Sequence, residues 1–390
     1  MPEIKPDLDS IAKIKVIGVG GGGNSALNRM IQSKVKGIDY IAVNTDAQAL
    51  FNSLSTTKLT IGKTITKGLG AGMDPELARR SAEESQNEIK ELLKGANMIF
   101  ITAGMGGGTG TGAAPIVASI AKELGALTIA VVTRPFSFEG AVRGQVAQSG
   151  IDELRKNVDA IITIPNDRIL QIVDKKTTLL ESFMLADEIL KQGIQGISEI
   201  ITNNGIVNVD FADVKRIMKN SGNALMGVGN ASGENKAVDA AKSAINSPLL
   251  ETSIDGAKGI VFTVTGGASL SMNEVNEAAK VVTESADPNA VIIFGAVIDP
   301  NMKDEIKVTV VATGFDDNGT PEKNVFASGI GNKNNFFPKN ENKYDDDLDI
   351  PVTIRNGNNK MNFDNKDGGL SKKEEDESEI PAFIRKKMGE

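Results

Sequence analysis

Two glycine tracts constrain this chain more than any other feature. Gly18 to Gly23 reads GVGGGG, and Gly104 to Gly112 reads GMGGGTGTG. Each follows an apolar run, KIKVIG at Lys13–Gly18 and NMIFIT at Asn97–Thr102, and each precedes a helical pattern. After the first, Ala26, Leu27, Met30 and Ile31 fall on one face of a helix over Asn24–Gln32; after the second, a helix is expected over Ala113–Leu124. A strand passing through a glycine turn into a helix is a βα unit. Further strands at Tyr40–Val43, Leu127–Thr133 and Ala160–Ile164, and a charged helix over Pro75–Leu93, continue the alternation. The predicted fold class is α/β, a doubly wound parallel sheet.

The pattern changes after a long helix predicted over Thr177–Thr202. Val207–Val209 leads into a helix at Phe211–Asn220, and helices at Lys236–Ile245 and Ser271–Glu284 then mix with strands at Gly259–Thr265, Val291–Val297 and Glu305–Thr313. This is a second, smaller α+β unit, and its last two strands, with little between them, predict a hairpin. The divisions are an extension at 1–10, a nucleotide-binding unit at 11–176, a central helix at 177–203, the α+β unit at 204–316, a linker at 317–379 and a terminal peptide at 380–390. The linker holds 12 Asn, 14 Asp+Glu and 9 Lys+Arg in 63 residues with no sustained apolar period. By composition it is a disordered tether, with a reach on the order of 45 Å. The terminal IPAFIRKKMGE regains apolar and basic residues, and Glu379–Arg385 (EIPAFIR) resembles Asp349–Arg355 (DIPVTIR) inside the linker. A short peptide at the end of a tether suggests a docking motif.

Composition excludes much chemistry. There is no cysteine, histidine or tryptophan. Disulfides, Cys/His zinc sites and His-based nucleophile systems are therefore impossible, and any metal needs oxygen ligands, as Mg2+ does. A net charge of -8 is a poor footing for coating nucleic acid. No apolar run approaches the ~18 residues that span a bilayer. The first ten residues carry three acids and no apolar core of a signal peptide, so a cytoplasmic protein is the expectation.

Bare backbone lets phosphate approach, and a helix that follows offers N–H groups and the positive end of its dipole. The first tract fits G-x-G-x-x-G at Gly18, Gly20 and Gly23. Two such tracts could wrap a di- or triphosphate, with Gly68–Asp74 (GLGAGMD) covering its end. Gly62-Lys63-Thr64 mimics a P-loop ending, but Thr57 stands where that template needs glycine. A dinucleotide site would use Asp39 or Asp46, yet leaves the second tract unexplained.

GGGTGTG at Gly106–Gly112 is the signature of tubulin-like GTPases. With VNTDAQAL (Val43–Leu50), GLGAGMDPE (Gly68–Glu76), TRPFSFEG (Thr133–Gly140), IPNDRIL (Ile164–Leu170) and NVDFADVK (Asn208–Lys215), the chain resembles the FtsZ family over residues 11–316, and again at IPAFIRKK. The resemblance implies a cytoplasmic GTPase that binds GTP/GDP with Mg2+ on the phosphates. It implies head-to-tail filaments forming a mid-cell division ring on the inner face of the bacterial membrane. It also implies docking of residues 380–390 to membrane-tethering proteins such as FtsA, without nucleic acid and without insertion into the membrane.

Residue by residue, the resemblance places Gly21, Gly22, Gly23, Asn24, Ser25, Ala71, Gly72, Gly107, Gly108, Thr109, Gly110 and Thr111 around the phosphates, and Glu139 and Arg143 around ribose and phosphates. Ala141 and Val142 stand where the family often has basic residues. Asn166, Phe183 and Asp187 match base-recognition positions, and Asn208, Asp210 and Asp213 match catalytic positions that complete the site of the next subunit. Plainer readings stay open beside these. Glu139 and Arg143 form an i, i+4 ion pair, as would Asp187 and Lys191, and Phe183 suits a core. Asp210 and Asp213 suit the N-cap and N3 positions of a helix. A dinucleotide enzyme, or a scaffold binding nucleotide without turnover, are the competing function classes.

Overall fold

The computed structural model describes residues 12–315, except 36, 172–176, 203–208, 248–249, 251–252 and 301. The chain opens with β1 (Ile14–Val19), α1 (Gly20–Gln32), β2 (Ile38–Asn44), α2 (Ala47–Phe51), β3 (Thr57–Thr60) and α3 (Lys63–Thr66). It continues through α4 (Pro75–Glu84), α5 (Gln86–Leu93), β4 (Met98–Gly104), α6 (Thr109–Glu123) and β5 (Leu127–Arg134). A 3-10 turn (Ser137–Glu139) leads to α7 (Ala141–Asn157), β6 (Ala160–Pro165), α8 (Asn166–Ile169) and the long α9 (Leu179–Thr202). Last come α10 (Phe211–Met218), β7 (Gly222–Ser232), α11 (Lys236–Ile245), β8 (Gly259–Gly266), α12 (Met272–Glu284), β9 (Val291–Ile298) and β10 (Glu305–Thr313).

These strands form one sheet, in the order β3-β2-β1-β4-β5-β6-β7-β10-β8-β9. From β3 to β7 every neighbouring pair is parallel. Strands covered on both faces should be apolar almost throughout, and β4 and β5 are buried along nearly their whole length. Alternate residues of β1 divide between two cores: Ile14 and Val16 pack with α1 and α9, and Ile17 and Val19 with α4 to α7. A third core lies under α11 and α12. The doubly wound sheet and the second α+β region are as expected. Among the described residues, no helix is long and apolar enough to cross a membrane.

Two expectations need correction. The charged helix over Pro75–Leu93 is two helices, broken at Ser85, whose hydroxyl accepts from the Gly62 N–H at 3.2 Å. A buried serine that satisfies a neighbouring loop competes with helix continuation. The hairpin does not form either. β9 pairs in parallel with β8, whereas β10 inserts between β7 and β8, antiparallel to both. β10 is buried nearly throughout and takes a central place; the half-exposed β9 takes the edge. The connection crosses the end of β8, where a Cβ on Gly267 would stand 2.2 Å from the Met302 carbonyl oxygen. The lead-in at Val207–Val209 falls outside the described residues except for Val209. Residues 1–10, the linker and the terminal peptide lie outside them entirely.

The two regions meet across β6 and β7, which pair at only three positions, Ala160↔Gly222 to Ile162↔Ala224. α9 spans this junction. Its glycines permit close approach: a Cβ on Gly193 would lie 3.2 Å from Val131 and 3.3 Å from Met226, and one on Gly196 would lie 2.7 Å from Thr309.

Candidate functional site

Both glycine tracts meet at the carboxyl ends of β1 and β4. α1 begins at Gly20, earlier than periodicity suggested, so the glycines themselves form its first turn. α6 begins at Thr109, directly after Gly106–Gly108. Neither helix has a side-chain cap or an acid in its first turn. Their first N–H groups are thus left for another acceptor, with two dipole ends nearby, which is an arrangement for anions.

These turns open onto a cavity of about 340 Å³. Of the candidate binding residues, Gly21, Gly22, Gly72, Gly107, Gly108, Thr109, Gly110, Glu139, Arg143, Asn166, Phe183 and Asp187 line it. A Cβ on Gly21, Gly72 or Gly107 would meet no atom within 4 Å, so bare backbone borders open space there. Arg143 Nε and Asn166 Oδ1 are buried without a hydrogen-bond partner. Such groups are costly unless a ligand or water satisfies them.

Five candidates do not line the cavity. A Cβ on Gly23 would stand 2.3 Å from the Thr102 carbonyl oxygen, so its bareness serves packing. Asn24 is buried, and Ser25 is exposed on α1. Ala71 packs behind Gly108, and the Thr111 hydroxyl accepts from the Gly106 N–H at 2.9 Å, bracing the loop. The Thr45 and Thr109 hydroxyls hydrogen-bond at 2.7 Å, tying the end of β2 to the same loop.

At the far end, Phe183 is 40% exposed and meets Phe136 edge-on at 5.4 Å, so it is no core residue. Burial raises the Asp187 carboxyl to about 6, against an opposing pull from the Arg29 charge. The pairing with Lys191 does not form: Lys191 binds Glu188 at 2.5 Å, while Asp187 faces the cavity. Glu139 and Arg143 do pair. Ala186 and Leu190 also line the cavity and were missed, although 183, 186, 187 and 190 make one helical stripe. Thr133 and Pro135, missed too, belong to the TRPFSFEG string.

The acids lie elsewhere. Asp210 caps α10, accepting from the Ala212 N–H at 3.2 Å, and Asp213 sits in its first turn. Both are exposed, and neither lines the cavity. Asn208 is outside the described residues. Asp46, wanted for a dinucleotide, caps α2 instead, and neither it nor Asp39 lines the cavity. Among the described residues no acidic cluster could hold a metal ion.

Comparison with known proteins gives two family matches: the Tubulin/FtsZ family, GTPase domain, over residues 13–174, and the FtsZ family, C-terminal domain, over residues 222–316. An empty dimer of FtsZ from M. jannaschii is 44% identical, with a TM-score of 0.76, over 79% of this chain and 89% of that one. A mutant of the same protein is 45% identical, with a TM-score of 0.75, over 78% and 91%. CetZ1 from Haloferax volcanii, a GDP-bound monomer, shares the fold at 19% identity and a TM-score of 0.68, over 78% and 95%.

Proposed function

This chain belongs to the FtsZ family of tubulin-like GTPases, and from that premise we propose that it binds GTP in the cavity between its glycine tracts and hydrolyses it on head-to-tail contact with a second copy. The observation that carries this reading is the separation within one chain: both phosphate-type loops line the cavity, while Asp210 and Asp213 are exposed outside it.

The N–H groups of Gly21, Gly22, Gly107, Gly108, Thr109 and Gly110 take the phosphates, and Gly72 borders their outer end. Gly23, Asn24, Ala71 and Thr111 support those loops from behind, and Ser25 stands exposed beside them on α1. Glu139 and Arg143 hold the ribose region, and Arg143 Nε has the free donor for a phosphate or sugar oxygen. Phe183 stacks on the purine. The Asp187 carboxylate accepts from guanine's ring N–H and amino group, and Asn166 Oδ1 accepts a further donor. Mg2+ bound through the phosphates would supply charge neutralisation there, beside the glycine N–H groups that take the phosphates. Asp210 and Asp213 of the second copy, with Asn208 beside them, orient the attacking water.

Exposed apolar side chains flank the cavity loops, among them Leu69 at 86% and Phe138 at 61% exposure, with Met73 and Val142 beside them. Their cover is a second copy of the chain. The filaments build the bacterial division ring in the cytoplasm at mid-cell. Residues 380–390 dock them to membrane-tethering proteins such as FtsA, with no membrane insertion and no nucleic acid.

The test is light scattering on addition of GTP, with released phosphate measured in the same tube. Both should rise, and turnover per subunit should climb steeply with protein concentration. Turnover independent of concentration would sink the shared site. Deleting residues 380–390 together with 350–355 should leave turnover intact and abolish recruitment to partner-coated vesicles. Recruitment that persists places the docking surface on the folded region.

A further inference from the structure

Asp167 is the second residue of α8, next to the cavity-lining Asn166. Its Oδ1 accepts from the Ser137 N–H at 2.8 Å, and its Oδ2 accepts from the Ser137 hydroxyl. One carboxylate thus takes both donors of a single residue from a distant part of the chain. Ser137 opens the 3-10 turn that ends at Glu139. Within it, Glu139 Oε1 accepts from the Phe136 N–H at 2.9 Å, and Oε2 accepts from Arg143.

The turn connects the two ends of the cavity. Phe136, at its start, is buried, stacks on Phe138 at 5.0 Å and braces Phe183 edge-on. Arg143, just beyond its end, borders the second glycine tract: its carbonyl oxygen lies 2.9 Å from the place of a Cβ on Gly106. A nucleotide with its base at Phe183 and its phosphates at the glycine tracts therefore has its ribose against Glu139. Ser137 and Phe138 are exposed, so packing alone fixes the turn poorly. The polar clasp from Asp167 orients it.

We infer that Asp167 is a positioning residue for ribose recognition, holding the 136–139 turn so that Glu139 faces the sugar. This rests on the guanine-nucleotide reading of the cavity. A clasp on an exposed turn adds little to global stability, so its loss registers in ligand selection rather than in unfolding.

The experiment uses the full chain as wild type, Asp167→Ala, Asp167→Asn and Ser137→Ala. Each is titrated with GDP, with dideoxy-GDP, which lacks both ribose hydroxyls, and with ADP, and each is melted without ligand. Asp167→Ala should weaken GDP by about five- to tenfold, a fraction of the worth of two hydrogen bonds to a charged acceptor because only the orientation of the turn is lost, and leave dideoxy-GDP and the melting temperature unchanged. Asp167→Asn should restore GDP binding, because its amide oxygen accepts from the backbone and its amide N–H donates to the hydroxyl. Ser137→Ala, which removes only the hydroxyl arm, should show the same pattern with a smaller loss. Equal weakening of GDP and dideoxy-GDP, no weakening at all, or a wild type indifferent to the ribose hydroxyls overturns the inference. A wild type with equal affinity for GDP and ADP overturns the guanine reading itself, and the role of the clasp with it.

Discussion

A methyl group on Gly23 would stand 2.3 Å from the Thr102 carbonyl oxygen, whereas one on Gly21 or Gly107 would meet nothing within 4 Å. Neighbouring glycines in one tract thus answer to different demands, and substitution separates them. Gly23→Ala should destabilise the fold by about 1–3 kcal/mol, as overpacking does, measured by denaturant unfolding. Gly21→Val and Gly107→Val should melt near wild type yet bind GDP at least about tenfold more weakly, since the added bulk enters the cavity. Equal melting losses for all three would contradict the division. Asp187 offers a second separation. In a chain without histidine or cysteine, burial lifts this carboxyl to about 6, so it titrates where histidine ordinarily would. Its raised value means the charged form is disfavoured in the fold, and the stability lost to this charge is recovered as pH falls through about 6. On the proposed reading, guanine's donors need the charged form. Affinity for GDP should therefore drop as pH falls below about 6, by up to about tenfold per unit, and proton uptake should oppose binding. Asp187→Asn should lose that pH dependence, and comparing the two proteins cancels the titration of the phosphates.

At the scale of elements, α10 carries a structural and a chemical assignment in one turn. Asp210 caps the helix, and Asp210→Ala should cost about 1 kcal/mol of stability, seen in denaturant unfolding. Asp213 makes no cap bond, so Asp213→Ala should fold and bind GTP nearly as wild type while phosphate release falls steeply. Normal turnover by Asp213→Ala would remove it from the chemistry. The same element shows what the sequence could and could not reveal. The Asp210 cap was legible because capping depends on local chemistry, and β1, β4 and β5 were legible because burial on both faces leaves continuous apolar runs. Strand β7 and helix α7 were not: β7 is rich in glycine and polar residues, and α7 alternates small and charged side chains, so their stability comes from neighbours distant in sequence. The order β10 between β7 and β8 is likewise a tertiary choice. In the site, the glycine tracts announced themselves, while Ala186 and Leu190 carried only the helical spacing shared with Phe183 and Asp187. That Asp187 faces the cavity rather than Lys191 depends on the nearer partner Glu188, which spacing alone does not decide.

For the whole molecule, a cavity on one surface and acids on another predict a dominant-negative mixture. Adding Asp213→Ala protein to wild type should lower phosphate release per wild-type subunit, because some wild-type cavities then adjoin a defective neighbour; unchanged release in mixed filaments would refute the arrangement. The three-position pairing of β6 with β7 has a mechanical consequence. Elsewhere β7 is joined to β10 along nine positions, Glu305↔Ser232 to Thr313↔Ala224, so the sheet narrows to a waist between its two regions. Helix α9 crosses that waist as a stiff strut, lying close to Val131 on one side and to Met226 and Thr309 on the other. Tension drawn from one end of the subunit to the other would pass through a short row of hydrogen bonds and a single rod. The compliance of a filament built from such units would then be concentrated at one flexure per subunit, set by how firmly the rod is seated at Gly193 and Gly196.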